Sequence, residues 1–254
     1  MSPDFRAPAA SLARARRVVV LTGAGVSAES GIRTFRDTME GLWKEFDAQK
    51  LATPEAFAAD PETVTRWYDW RRLGCLAADP NPGHLALAQM EDWLAASGRD
   101  FTLLTQNVDR LHQKAGSRNV VELHGSIIEW RCTRTGQKLI PPEQAFDQFP
   151  PHSPFAERAL LRPDVVWFGE PLPAAALAAA AHAVDSCDLF ISVGTSSQVY
   201  PAAGFAELAL HQGGEVIEVN PQQTPLTRMA TWSLRGPSGE VLPMLLDEAR
   251  KAHV

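Results

Sequence analysis

Arg17 is followed by Val-Val-Val-Leu-Thr, an unbroken apolar run that stops at Gly23-Ala24-Gly25. A strand apolar on both faces belongs in a parallel sheet covered by helices on each side. The pattern recurs. Phe101 to Thr105 leads into Gln106 and Asn107, Leu189 to Val193 into Gly194, Thr195 and Ser196, and Glu215 to Val219 into Asn220. Each run ends in small or polar residues, at the carboxyl ends of strands where open α/β sheets bind ligands. Strands alternating with helical stretches predict an α/β fold, a Rossmann-like doubly wound parallel sheet.

A chain of 254 residues with 45% apolar and 21% charged residues has enough apolar material for a sizeable core. Its net charge of -6 argues against nucleic acid as the main partner. Cys75, Cys132 and Cys187 are far apart and odd in number, which suits a reducing, cytoplasmic setting rather than a disulfide framework. No apolar run reaches the ~20 residues of a membrane span. The arginine-rich first 17 residues lack the apolar core of a secretory signal and read as a leading helix, Ala9 to Arg16.

Gly23 to Gly31, GAGVSAESG, follows the first strand as a phosphate loop would, with glycines permitting a tight turn and close approach of a pyrophosphate. Ala28 stands where the dinucleotide fingerprint has its third glycine, so the loop is a variant. Downstream, TQNVDRLHQKAGSRNVVELHG offers Gln106, Asn107 and Asp109 at a strand end, a helix from about Val108 to Ala115, and a second strand, Asn119 to Leu123, that delivers His124 before Gly125. An imidazole at a strand end can serve as a general base. Asn107 and Asp109 also suit helix capping, and a lone histidine more often satisfies a local hydrogen bond than performs catalysis.

GAGVSAESGIRTFRD, TQNVD, His124-Gly125, RPDVVWFGE from Arg162 and GTSSQVYPAA from Gly194 together resemble the sirtuins, NAD-dependent protein lysine deacylases, in the family's order. The resemblance implies that Gly23, Ala24, Gly25, Phe35, Arg36, Gln106, Asn107, Asp109, Gly194, Thr195, Ser196 and Asn220 form an NAD site. It implies that His124 is the catalytic base, with Asn107 and Asp109 stabilising charge on the reacting ribose. Acyl-lysine peptide would pair with Val166, Phe168, Gly169 and Glu170 on one side, in a strand from Val166 to Glu170, and meet Val199 on the other. NAD would be consumed, giving nicotinamide, O-acyl-ADP-ribose and free lysine.

Tyr68 and Arg71, three apart in RWYDWRR, would share a helix face able to bind a carboxylate. The plainer reading is a surface helix in which the aromatics pack and Arg71 is solvated. The pair resembles the acyl pocket of the sirtuin subgroup that removes succinyl, malonyl and glutaryl groups. Ala52, sixteen positions before Tyr68, matches that subgroup's small residue.

The chain departs from the family at its zinc site. Sirtuins usually hold zinc with two CxxC pairs. Here Cys132 stands alone, Thr135 occupies its partner's place, and no further cysteine lies between Gly136 and Arg162. No structural zinc is expected; Trp130, Leu139, Ile140, Phe146, Phe149 and Phe155 would pack instead, with Cys132 an inert remnant. Residues 10-34, 96-126 and 162-250 would form the nucleotide domain, and 35-95 with 127-161 a smaller, discontinuous one. A monomer is expected. Two rival readings are NAD hydrolysis or ADP-ribosyl transfer on the same scaffold, and a non-catalytic NAD-responsive module.

Overall fold

The computed structural model describes residues 4–32 and 47–253. Phe35 and Arg36, expected at the nucleotide site, lie outside the described residues. Among the described residues the expected parallel sheet is present. Strands β1 (Arg17–Thr22), β2 (Asp100–Thr105), β3 (Val120–Glu122), β7 (Leu189–Val193), β8 (Glu215–Val219) and β9 (Trp232–Leu234) stand in the order β3-β2-β1-β7-β8-β9, all parallel. The order reverses between β1 and β7, which makes that crevice the topological switch point.

Alternate residues of each strand serve opposite faces, as a two-residue period requires. Val18, Val20, Leu103, Ile191 and Ile217 pack with α1 (Arg6–Arg14), α5 (Pro82–Ala96) and α9 (Ser238–Ala252), which bring Leu12, Leu87, Met90, Leu94, Leu242 and Leu245. On the other face Val19, Leu21, Leu104, Phe190 and Val216 meet α7 (Ala174–Asp185) and α8 (Phe205–His211) through Ala180, Val184, Phe205 and Ala209. The leading helix starts earlier than expected, since Pro8 in its first turn forfeits no intrahelical bond. It stops at Arg14, because Ala15 is extended and Arg99 Nη1 donates to the Ala13 carbonyl at 2.9 Å.

A second sheet orders β5 (Lys138–Leu139), β4 (Gly125–Cys132) and β6 (Leu161–Val165), antiparallel throughout. Short helices α2 (Ala48–Leu51) and α3 (Pro54–Ala59) and the long α4 (Pro61–Ala77) accompany it. The prolines at 54, 61 and 82 start helices, Pro54 after a Thr53 cap and Pro61 after an Asp60 cap. Trp67 and Tyr68 of α4 bury against Ile127, Trp130, Leu161, Val165 and Trp167. Of the expected cluster, Trp130 is buried and Leu139 and Phe146 pack on it, but Ile140 is 65% exposed because it lies just past the end of β5. Among the described residues no helix is long and apolar enough to cross a membrane.

Candidate functional site

At the switch point the loops after β1 and β7 cross backbone to backbone. Gly25 N donates to Gly194 O at 3.0 Å and Gly23 N to Val193 O at 3.0 Å. A Cβ on Gly25 would sit 2.8 Å from Gly194 Cα, and one on Gly194, at φ +60°, only 2.6 Å from Val26 N. Glycine is required here by the crossing itself. Residues Ala24–Ser30 continue as a 3-10 helix that ends at the left-handed Gly31, where the fingerprint loop would lead into an α-helix.

Gln106, Asn107 and Asp109 follow β2 into the same crevice. The Asn107 side-chain amide donates to Gly23 O and to Ser27 Oγ, both at 3.1 Å. Asp109 accepts the Ser27 hydroxyl at 2.7 Å and Leu111 N at 2.9 Å, so it ties the start of the next helix to the loop after β1. That helix, α6, spans only Leu111–Lys114, not Val108 to Ala115, because Arg110 sits in the left-handed region at φ 63°. Ion pairs from Arg110 to Glu122 (3.1 Å) and Glu129 (2.6 Å) hold that turn. Burial pushes the Asp109 carboxyl up; Leu111 N, Ser27 and the positive field of Arg71 act against it.

His124 stands between β3 and β4, half-buried. Its Nδ1 lies 2.9 Å from the Gln106 carbonyl. A carbonyl only accepts, so Nδ1 carries the proton and Nε2 is left with its lone pair. Burial lowers its pKa below the usual histidine value, with the bond to Gln106 acting the other way, so the ring is neutral at pH 7. The next residue, Gly125, has φ +75°, and a Cβ there would fall 2.1 Å from Asp164 O. Gly125→Ala must therefore part β4 from β6 beside His124, with an expected loss of ~2 kcal/mol or more, read as a lower urea midpoint.

Tyr68 and Arg71 share a face of α4, as expected. Tyr68 is buried, its ring 6.2 Å from that of Trp167, and burial raises its hydroxyl to about 12 against the field of Arg71. Arg71 is half-buried, its guanidinium carbon 4.8 Å from the centre of the Trp67 ring. Ala52 belongs to the same apolar cluster, and its carbonyl accepts Phe168 N at 2.9 Å.

The strand expected from Val166 to Glu170 is absent, because β6 ends at Val165. Val166 N donates to His124 O, and the chain then turns through Gly169 at φ +87° with Glu170 N on Trp167 O. Glu170 is occupied: Arg162 grips its carboxylate at 2.7 and 2.9 Å, and Trp167 N donates to it at 2.9 Å. Phe168 and Val199 are exposed, at 48% and 41%. Thr195 is buried and Ser196 half-buried. The Asn220 side chain donates to Thr195 O at 2.7 Å and accepts Gln222 N, so it ties the ends of β7 and β8 together.

Sequence reading missed the layer beneath these groups. His84, the third residue of α5, completes a capping box with the N-cap Asn81. It also lies 3.4 Å from Ser27 Oγ, which connects it to Asn107 and Asp109. His112, buried behind it at a ring separation of 4.9 Å, bonds Thr22 Oγ1 at 2.9 Å. The available signal was two histidines each within a polar motif, NPGH and VDRLH.

Residues 23–201 match the model of the Sir2 family. The chain is 48% identical over 250 residues to an NAD-dependent protein deacylase of Methylococcus capsulatus, covering 96% of both proteins. It is 49% identical over 252 residues to NAD-dependent protein deacylase 1 of Pseudomonas aeruginosa, covering 96% of this chain and 99% of that one. Among solved structures, a Sir2 homologue in complex with NAD superposes with a TM-score of 0.91 at 45% identity, over 100% of this chain and 96% of that one. A Sir2 protein with a deacetylated p53 peptide and 3'-O-acetyl ADP-ribose superposes at 0.85 and 32% identity, over 97% of this chain and 98% of that one.

Proposed function

Because the chain belongs to the Sir2 family, we propose that it is an NAD-dependent protein lysine deacylase that removes succinyl and malonyl as well as acetyl groups. The observation that carries the acyl preference is the placement of Tyr68 and Arg71. They stand on one face of α4, the tyrosine buried and the guanidinium half-buried against Trp67, with the charge of Arg71 felt by Asp109. A planar cation and a phenol beside the catalytic carboxylate suit an acyl chain that ends in its own carboxylate.

The donor set fits NAD. The backbone amide of Ala24 and the amides and hydroxyls of Thr195 and Ser196 suit phosphates, with the glycines around them letting the ligand approach closely, and the amides and carboxylate of Gln106, Asn107 and Asp109 suit a ribose and a carboxamide. When bound, NAD would supply an electrophilic ribose carbon. Asp109 holds negative charge near that position and is itself fixed by Ser27 and Leu111 N. Asn107, fixed on Gly23 O and Ser27, orients the polar groups around it. His124 presents Nε2 as the base that takes a proton from a ribose hydroxyl. Phe168 and Val199 flank the entry for the lysine, and the turn from Val166 to Glu170, locked by Arg162, gives the peptide a fixed wall.

In this reading residues 10-34, 96-126 and 162-250 form the nucleotide domain and 35-95 with 127-161 the smaller one. The chain acts as a cytoplasmic monomer without nucleic acid or membrane. In the same reading the smaller domain needs no structural zinc, because Cys132 has no cysteine partner at position 135 and none between Gly136 and Arg162. Burial raises the Cys132 thiol, yet the hydroxyls of Ser153 and Thr135 and nearby amides bring it down to about 6, so hydroxyls stand where a zinc site needs thiolates. Exhaustive chelation is therefore expected to leave the melting temperature unchanged, and one tightly held zinc per purified chain would overturn this.

The deciding experiment follows nicotinamide release with a single peptide carrying acetyl-lysine or succinyl-lysine, for wild type and Arg71→Met. Wild type is expected to favour succinyl, and the variant to lose that preference by about tenfold or more, the scale of one charge-assisted bidentate contact, while keeping deacetylation. An acetyl preference untouched by Arg71→Met would reduce the enzyme to a general deacetylase. Release that ignores the peptide would make it an NAD hydrolase.

A further inference from the structure

One buried ion pair of α4 plays no part in the chemistry above. Asp69 and Arg72 are 2% and 1% exposed, and Arg72 Nε and Nη2 donate to Asp69 Oδ1 at 2.8 and 2.6 Å. Their remaining capacity goes to one distant segment. Arg72 Nη1 donates to Pro142 O and Nη2 to Gln144 O, each at 2.7 Å, while Asp69 Oδ2 accepts Phe146 N at 3.1 Å. Two charges this deeply buried persist only when their hydrogen bonds are made, and here the chain from Pro142 to Phe146 makes them.

The same segment is held from both sides. Phe146 packs edge-on against Trp130 at 4.8 Å, and the Arg72 guanidinium carbon lies 5.5 Å from the centre of the Phe146 ring. One turn earlier, the guanidinium of Arg66 lies 4.6 Å from the centre of the Phe149 ring. Asp69 and Arg72 alternate along α4 with Tyr68 and Arg71, so the faces that grip the 142 to 146 segment and that line the acyl pocket belong to one rigid turn of helix. The clasp joins helix to loop through directional bonds.

We propose that the Asp69–Arg72 clasp is a specificity-determining positioning element: by fixing the roll and depth of α4 against the 142 to 146 segment, it sets Tyr68 and Arg71 for carboxylated acyl groups. This rests on the acyl-pocket reading above. Neither residue touches substrate, and loosening the clasp acts through the pocket geometry.

The test uses the full chain with Arg72→Lys, which keeps the charge but loses the planar fork, and Asp69→Asn, which keeps the shape but loses the charge. Arg71→Met is measured in parallel. Amide exchange at Phe146 is expected to speed up by about tenfold or more in both clasp variants, since its acceptor is weakened or released. The KM for succinyl-peptide is expected to rise by about tenfold or more with little change in kcat, while the KM for acetyl-peptide stays within about twofold. Faster exchange at Phe146 with an unchanged succinyl-to-acetyl ratio would overturn the proposal and leave the clasp a local staple. Equal losses for both substrates would overturn it as well. If Arg71→Met itself leaves the ratio unchanged, the acyl-pocket reading fails and the positioning role falls with it. Should Arg72→Lys fail to fold, Asp69→Asn, almost isosteric, reads the same ratio.

Discussion

His124→Ala is expected to lower deacylation by about two orders of magnitude or more while NAD affinity is retained, the scale of losing a positioned general base. The ring is set for this by three features. Its Nδ1 proton is committed to the Gln106 carbonyl at 2.9 Å, its position is fixed by the strand ends on either side, and burial keeps it neutral at pH 7. A neutral imidazole with a free Nε2 can accept a proton, whereas an imidazolium cannot. Because the folded pKa is lowered, the rate should be level above pH ~6.5 and fall only as pH drops through the lower value. Product formation and NAD binding by calorimetry check both halves. Turnover unchanged in His124→Ala would remove His124 from the chemistry, and loss of NAD binding would make it a structural residue.

Acid should unfold this protein steeply, through the two histidines beneath the site. Burial holds His84 at about 4 and His112 at about 3, the latter lowered further by the charge of the former. In the unfolded chain both titrate near ~6.5, so below that pH the unfolded state binds more protons than the folded one. Stability is therefore full above pH ~6.5, falls as pH drops below it, and levels only below the folded values. The expected limiting loss is roughly 3 kcal/mol for His84 and roughly 5 kcal/mol for His112, large beside a domain's net stability of ~5–15 kcal/mol. Asp109 acts in the opposite sense, since a raised carboxyl pKa gains stability on protonation, but it is one group against two. Urea midpoints at pH about 7.5 and about 5 measure the effect. Equal midpoints would mean that the pair is charged or solvated in the folded state.

The two tests bear on different parts of one structure. His124 stands half-buried between β3 and β4. His84 and His112 lie fully buried behind Ser27 and Thr22, beneath Asn107 and Asp109. A cation there would sit among groups arranged for neutral rings, so stability and catalytic geometry should fail over the same acid range.

The apolar runs at Val18, Phe101, Leu189 and Val216 by themselves determined a parallel sheet, because nothing but a doubly covered strand tolerates such sequence. Their polar ends placed Gly23, Asn107, Asp109, Gly194 and Asn220 on one edge of it, and the pairing of Tyr68 with Arg71 followed from helical spacing. These features are local, and local sequence carries periodicity and spacing well. What tertiary structure alone decided depends on contacts between distant segments. The backbone crossing of Gly25 with Gly194 turned a loop resembling a phosphate fingerprint into a packing requirement. Val166 to Glu170, expected as a strand, became a turn because Arg162 and Trp167 N capture Glu170. Asn220 is turned inward to the loop after β7. The Asp69–Arg72 clasp could not be read at all, since its partners are backbone atoms some seventy residues away, and a carbonyl carries no sequence signature.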